Sequence, residues 1–188
     1  MMSKFKALLK QFCPDGVEYK KIGDIAEVLR GRRLTKSQLS ETGKYAVYHG
    51  GLEPLGNYEK YNREADTVMI INVGASAGTI GYCNKKFWSS DGCFCLQGTG
   101  LFNAKYVYYY LSSKEHYFQS KVRRAGIPTL DAFVIEQYSI PLPPLSVQEE
   151  IVRILDDMTF LIAELEAEIE ARKKQYKYYR DRLLSFSE

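Results

Sequence analysis

The chain has 188 residues, 45% hydrophobic and 26% charged, with 26 Lys+Arg against 23 Asp+Glu and a formal net charge of +3. That length suits one globular domain, or one domain with an appendage, and the composition excludes wholesale disorder. The longest strongly apolar stretch, Val68 to Ile71, is far too short to span a membrane, and the N-terminus lacks a signal-peptide pattern, so the expectation is a soluble cytoplasmic protein with no membrane partner.

A short amphipathic helix carrying Phe5, Leu8, Leu9 and Phe12 opens the chain and stops at the turn signal Cys13-Pro-Asp-Gly16. Strands are expected at Tyr19–Leu29, Tyr45–Tyr48, Thr67–Val73, Thr79–Asn84, Gly92–Gln97 and Val134–Ile140, with Gly-rich joints between them. Ala104–Ser120 is expected to be a helix, with Tyr106, Tyr109, Tyr110 and Leu111 at helical spacing and serving core or interface. The fold class is therefore α+β, a globular mixed α/β part over residues 1–145 followed by a long helix over 146–188.

The boundary lies at Ile140-Pro-Leu-Pro-Pro-Leu145, where three prolines in four positions make a stiff extended connector. Ser146-Val-Gln-Glu149 then matches a capping box, and no Gly or Pro follows to Glu188. A helix of roughly 40 residues is about 60 Å long at 1.5 Å per residue.

Ile151, Leu155, Met158, Ile162, Leu165, Ile169, Arg172, Tyr176, Tyr179, Leu183 and Phe186 keep an unbroken 4-3 spacing, and ten of these eleven are apolar or aromatic. That is a coiled-coil seam, widened on its N-terminal half by Val147, Ile154 and Leu161. Charge is divided along the chain. Residues 1–145 carry a net of +6, residues 146–170 a net of −7 and residues 171–188 a net of +4. An antiparallel pair sets each acidic half against a basic half, whereas a parallel pair sets like charges side by side. The cover for the seam is a second copy, an unseen second half of a longer chain, or the chain's own globular part.

Few residues of the chain fall into patterns that support catalysis. Gly74-Ala-Ser-Ala-Gly78 has neither phosphate-loop spacing and is expected to be a tight hairpin between buried strands, and Gly43-Lys44 is followed by Tyr. Cys13, Cys83, Cys93 and Cys95 lack zinc-knuckle spacing and are expected to be buried or half-buried thiols; a site combining Cys83, Cys93, Cys95 and a histidine is the alternative. Glu18-Tyr19-Lys20 resembles half of a nuclease metal site, but solvated charges are the simpler reading. His49 and His116 have no evident catalytic partner in the sequence. No catalytic residue, metal or cofactor is expected on this chain.

Basic residues, in contrast, cluster in loops: Arg30, Arg32, Arg33 and Lys36; Lys60 and Arg63; Lys85 and Lys86; Arg123 and Arg124. Arg and Lys attract phosphates whatever the sequence, and Arg also bonds guanine in the major groove. Tyr48, Tyr58 and Trp88 lie among these clusters as weaker candidates. Any one cluster is an ordinary loop; four on a +6 domain point to nucleic acid.

Cys13-Pro-Asp-Gly-Val-Glu-Tyr19, Ile22-Gly23-Asp24, the Gly74–Gly78 hairpin and above all Ile140-Pro-Leu-Pro-Pro-Leu-Ser-Val-Gln-Glu-Glu-Ile151 resemble the DNA specificity subunit of type I restriction-modification systems. The resemblance covers essentially the whole chain, strongly in the scaffold and weakly in the recognition loops. It implies a target recognition domain that reads a few base pairs of double-stranded DNA, and a helix that spaces two such domains through an antiparallel coiled coil. It also implies a non-catalytic subunit. Modification subunits supply S-adenosylmethionine-dependent adenine methylation, and a restriction subunit, a further partner, supplies cleavage. The usual subunit holds two recognition domains and two helices, and this chain has half of each. A homodimer through the seam would rebuild the whole and read an interrupted palindrome; a fragment of a longer chain is the other explanation. The rival from another class is a coiled-coil assembly protein whose globular head binds another protein.

Overall fold

The computed structural model describes residues 2–98 and 100–186. Helix α1 (Met2–Phe12) leads into β1 (Tyr19–Lys21), the single turn α2 (Ile22–Ile25) and β2 (Ala26–Arg30). The continuous strand expected from Tyr19 to Leu29 is thus broken in its middle. Ile22 and Ile25 are both buried, and residues three apart share a face only on a helical turn, since an extended strand would point them to opposite sides.

After a short 3-10 turn at Lys36–Gln38 come β3 (Tyr45–Tyr48), β4 (Gly56–Tyr58), β5 (Thr67–Ile71), β6 (Ile80–Cys83), β7 (Trp88–Ser89) and β8 (Cys93–Gly98). The brief strands β4 and β7 were not expected from periodicity. Three residues and two residues are too few to show alternation. Strands β2, β8, β5 and β6 form a four-stranded sheet in that order, entirely antiparallel. Strands β4, β3 and β7 form a second sheet, with β3 and β7 parallel. The hairpin at Gly74–Gly78 joins β5 to β6 as the sequence indicates, closed by Gly78 N–H on Ile71 O at 2.8 Å and Ile71 N–H on Thr79 O at 2.9 Å. At Gly78, φ is +92°, and a Cβ would stand 2.7 Å from the Gln119 backbone nitrogen, so only glycine fits.

The expected helix Ala104–Ser120 divides into α3 (Ala104–Ser112) and α4 (Glu115–Ser120). The break turns Phe118 into the core and lets the Glu115 carboxylate accept the Ile80 N–H at 3.0 Å. The strand expected at Val134–Ile140 begins instead as the turn α5 (Ala132–Glu136), and only β9 (Ser139–Pro141) pairs, antiparallel to β1. The helical turn buries Ile135 and leaves Phe133 exposed, which a strand alternation could not reconcile with the buried Ile140. The main core lies between the four-stranded sheet and α2, α3, α4 and α5. All four cysteines are free, Cys13 half-buried and the others buried, as expected, and burial pushes the Cys93 thiol up to about 12.

Helix α6 runs from Leu145 to Leu184. The capping box at Ser146 does not form: Pro144 is the N-cap and no side chain caps the helix start. The residue that serves this end is Gln148. It is fully buried, accepts the Asn103 N–H at 2.8 Å and donates to Pro143 O at 2.7 Å. Asn103 in turn caps α3 through Lys105 N–H and Tyr106 N–H. Lys105 Nζ and the Tyr109 hydroxyl donate to the two oxygens of Asp156, at 2.8 and 2.6 Å. Helix α6 also lies against α1.

This clamp holds only the first turns of α6. Ile151 and Leu155 are half-buried, and every residue from Met158 to Phe186 is exposed. Within the described chain, then, the globular part leaves the seam uncovered from Met158 onward. Phe186, expected as its last position, falls beyond the end of the helix; Ser187 and Glu188 lie outside the described residues. No helix among the described residues is long and apolar enough to cross a membrane.

Candidate nucleic-acid interface

The loop after β2 carries the densest cationic cluster, and it is seated by backbone contacts that leave its side chains outward. Gly31 N–H bonds Cys93 O at 3.0 Å and Arg32 N–H bonds Ser89 O at 2.9 Å. A Cβ on Gly31 would stand 1.9 Å from Ser90 O, so the loop can approach β7 and β8 this closely only with glycine there. Trp88 Nε1 donates to Arg32 O at 2.7 Å. A reciprocal pair between Thr35 and Gln38 fixes the far end. Arg30, Arg32, Arg33 and Lys36 are all exposed.

A second basic loop faces the first. Residues 123 to 129 are pinched into a tight loop by two reciprocal backbone bonds, Arg123 N–H to Thr129 O at 2.9 Å and Thr129 N–H to Arg123 O at 3.0 Å. Arg124 and Ile127 stand at its tip, and Arg123 is paired with Asp131 at 3.0 Å. The loop is anchored on the β5–β6 hairpin through Gly74 N–H on Pro128 O and Leu130 N–H on Asn72 O, each 2.9 Å.

Between the two loops lies a groove of about 560 Å³. Arg30, Arg33 and Lys36 form one wall, Ile127 and Thr129 the other, with His49, Asn72 and Asp91 on the floor. His49 Nδ1 is 3.3 Å from an Asp91 carboxylate oxygen, an ion-pair distance whenever the imidazole is protonated. The Asn72 side-chain oxygen is buried without a hydrogen-bond partner among the described residues. Asn72, Asp91, Ile127 and Thr129 are not marked in the sequence, and His49 stands out there only as a histidine without an evident partner, because nothing local marks these separate loops as neighbours. The one local hint is Gly126-Ile-Pro128, which follows the basic pair Arg123-Arg124 after a single alanine.

The other two clusters also meet. Backbone bonds between Arg63 and Phe87 bring the segment after β4 beside the β6–β7 turn, so Lys60, Lys85 and Lys86 share one patch. Lys86 is committed there. Its ammonium bonds Glu64 at 2.8 Å and the Tyr61 hydroxyl at 3.1 Å, and these contacts raise its pKa. Arg63 turns inward, donating to Arg30 O at 2.9 Å and Asn62 O at 2.7 Å. It thereby ties the second patch to the end of β2.

The three aromatic candidates pack the small sheet. Trp88 is only 8% exposed and meets Tyr58 edge to face at 5.1 Å, so its ring has no free face for a base. Tyr48 lies edge-on to Phe87 at 5.5 Å, and burial, followed by the neighbouring Cys83, raises its phenol pKa. These rings shape the surface from beneath.

A family model for the type I restriction modification DNA specificity domain matches residues 14–172. The chain is 33% identical over 186 residues to a putative type I restriction enzyme specificity subunit of Haemophilus influenzae, covering 92% of this chain and 47% of the relative. It is 34% identical over 170 residues to a putative type I specificity subunit of Mycoplasma pneumoniae, covering 88% of this chain and 46% of that one. Its fold is similar to that of the type I restriction-modification S subunit from M. genitalium, with a TM-score of 0.69 at 22% identity over 92% of this chain and 47% of the other. The chain thus spans about half the length of these relatives. On the family match and the relatives together, it belongs to the type I restriction-modification DNA specificity family.

Proposed function

We propose that this chain is the non-catalytic, sequence-reading component of a cytoplasmic type I restriction-modification complex, and that its globular part binds one half of a bipartite double-stranded DNA target. The observation that carries this reading is the convergence of the Arg30–Lys36 and Arg123–Thr129 loops on one groove. Arg30, Arg32, Arg33, Lys36 and Arg124 are exposed cations on rims of fixed geometry, suited to phosphate contacts and to arginine bonds with base edges. Arg123 joins them from its pair with Asp131, and Lys60, Lys85 and Lys86 extend the positive surface. Arg63 and Trp88 position this surface by holding the Arg30 and Arg32 carbonyls.

The bare seam of α6 supports the second half of the proposal, self-association into an antiparallel coiled coil. Two heads and two helices then rebuild the full-length layout and present a surface to methyltransferase subunits, which carry S-adenosylmethionine, with a restriction subunit as a further partner. Methylome sequencing of cells carrying this chain with its partner methyltransferase tests the whole reading. A gapped palindromic motif is the expected result. An asymmetric motif refutes the homodimer, and an unmodified genome with both proteins expressed refutes the assignment to DNA reading.

A further inference from the structure

The exposed part of the seam is self-complementary about a single point, and that fixes how two copies would align. This inference rests on the proposed self-association of α6 and goes beyond it to the register. In a heptad, the seam positions alternate between two kinds, here Leu155, Ile162, Ile169, Tyr176 and Leu183 in one row and Ile151, Met158, Leu165, Arg172 and Tyr179 in the other. Antiparallel packing sets a member of one row opposite a member of the other, so only registers differing by whole heptads are allowed.

We infer that α6 pairs with a second copy in the register that places Met158 opposite the partner's Leu183, with the two-fold axis passing midway between Ile169 and Arg172. Four observations select it. Met158 is the first seam residue that the head leaves exposed, at 48%, and Leu183, at 72%, is the last on the helix, so this register covers the bare seam from end to end. Ile151, which it leaves out, already packs on the chain's own core.

Size complementarity is the second. Ile162 meets the partner's Tyr179 and Leu165 meets the partner's Tyr176, so each ring has an exposed aliphatic side chain opposite it, whereas a slip of one heptad toward the N-terminus would set Tyr179 against Leu155, which the head already half covers. Charge is the third. Glu166 flanks the partner's Lys173, and Glu168 flanks the partner's Gln175. A slip of one heptad toward the N-terminus would set Glu166 and Glu168 against their own copies in the partner. A slip the other way sets Lys173 against the partner's Lys173 and strands Met158 without a layer.

The fourth is Arg172, the single charged residue in the seam. A shallow depression lined by Leu165, Glu168, Ile169, Arg172, Lys173 and Tyr176 sits on the same midpoint. In this register Arg172 stacks on the partner's Ile169 beside the axis while its guanidinium keeps its own contacts, Gln175 at 3.1 Å and Glu168 at 3.5 Å. A polar residue at one seam position sets register at some cost in stability, and Arg172 takes that part here.

Disulfide trapping in the full chain tests the register. Met158→Cys and Leu183→Cys are prepared separately, mixed and exposed to mild oxidant, with sedimentation run alongside. A cross-linked dimer in the mixture, absent from either variant alone and from the native chain, is the expected result. Self-linking of Met158→Cys alone means a parallel pair and overturns the inference. Linking of Met158→Cys to Tyr176→Cys in place of Leu183→Cys means a slipped register and overturns it equally. A chain that sediments as a dimer yet links at none of these pairs overturns the register alone, whereas a monomer overturns self-association itself. Adding Arg172→Leu is expected to keep the dimer but admit the Tyr176 product, a change that a merely solvated arginine would not cause.

Discussion

Cations that look alike in the sequence do different things in the fold, and this separates their expected effects. Arg33 projects from the rim of the groove, so Arg33→Ala is expected to weaken binding to duplex DNA and to flatten its salt dependence by a slope of about 0.9 for the lost phosphate contact. Trp88→Phe keeps an aromatic ring, smaller than the indole, but removes the donor to Arg32 O. It is expected to weaken binding while leaving the salt slope unchanged, because no phosphate contact is removed. Fluorescence anisotropy titrations at several salt concentrations check both. Arg63→Ala belongs with Trp88, since its guanidinium is occupied by the carbonyls of Arg30 and Asn62. A Gln148→Leu change leaves Asn103 N–H and Pro143 O without their partner, and is expected to cost about 1–3 kcal/mol in denaturant unfolding.

Among elements, the junction of α3 with α6 decides whether the head and the long helix move as one. Asp156 joins them. Its partial burial would raise its pKa, but the bonds from Lys105 and the Tyr109 hydroxyl outweigh this and hold it below the ordinary carboxylate value. A carboxyl whose folded pKa is lowered contributes stability that is fully present above its unfolded value, about 3.9, and is lost as the pH falls through the lowered value. Lys105 works in the opposite sense. The hydrogen bond to Asp156 raises its pKa, so its contribution is present below about 10.4 and lost only in stronger alkali. The junction is therefore expected to hold between these limits and to loosen in acid. Unfolding midpoints of the native chain and Asp156→Asn, compared at about pH 3 and about pH 6, are expected to differ more at the higher pH than at the lower.

At the scale of the whole molecule, the bare seam of α6 governs assembly. Leu165 and Ile169 are both about half exposed, on the part of α6 that no other described residue of the chain covers. Replacing both by polar residues is expected to convert a dimer to a monomer in sedimentation while leaving thermal unfolding of the head unchanged. The same variant is expected to lose preference for a palindromic two-site DNA over a single half-site, because two linked heads bind the first far better than one head can. Equal preference in the native chain and the variant would separate DNA reading from self-association.

The sequence alone determined the features that repeat or that punctuate. The 4-3 spacing from Ile151 onward is a property of every turn, so α6, its apolar seam and its charge polarity could be read without coordinates. So could the proline boundary before Leu145 and the Gly74–Gly78 hairpin. Local pattern failed where burial overrode it. Ile22 with Ile25, and Ile135 with Ile140, enter the core only because short helical turns aim them there, and Ser146 gave way to Gln148 because the helix start is buried against α3. The groove, too, was decided only by tertiary structure. Its walls and floor come from segments up to about a hundred residues apart, and a cation on a loop carries no local sign of whether it meets solvent, as Arg33 does, or a backbone carbonyl, as Arg63 does. Periodicity is written locally, whereas the partners of a loop are fixed by the sheet that brings distant loops together.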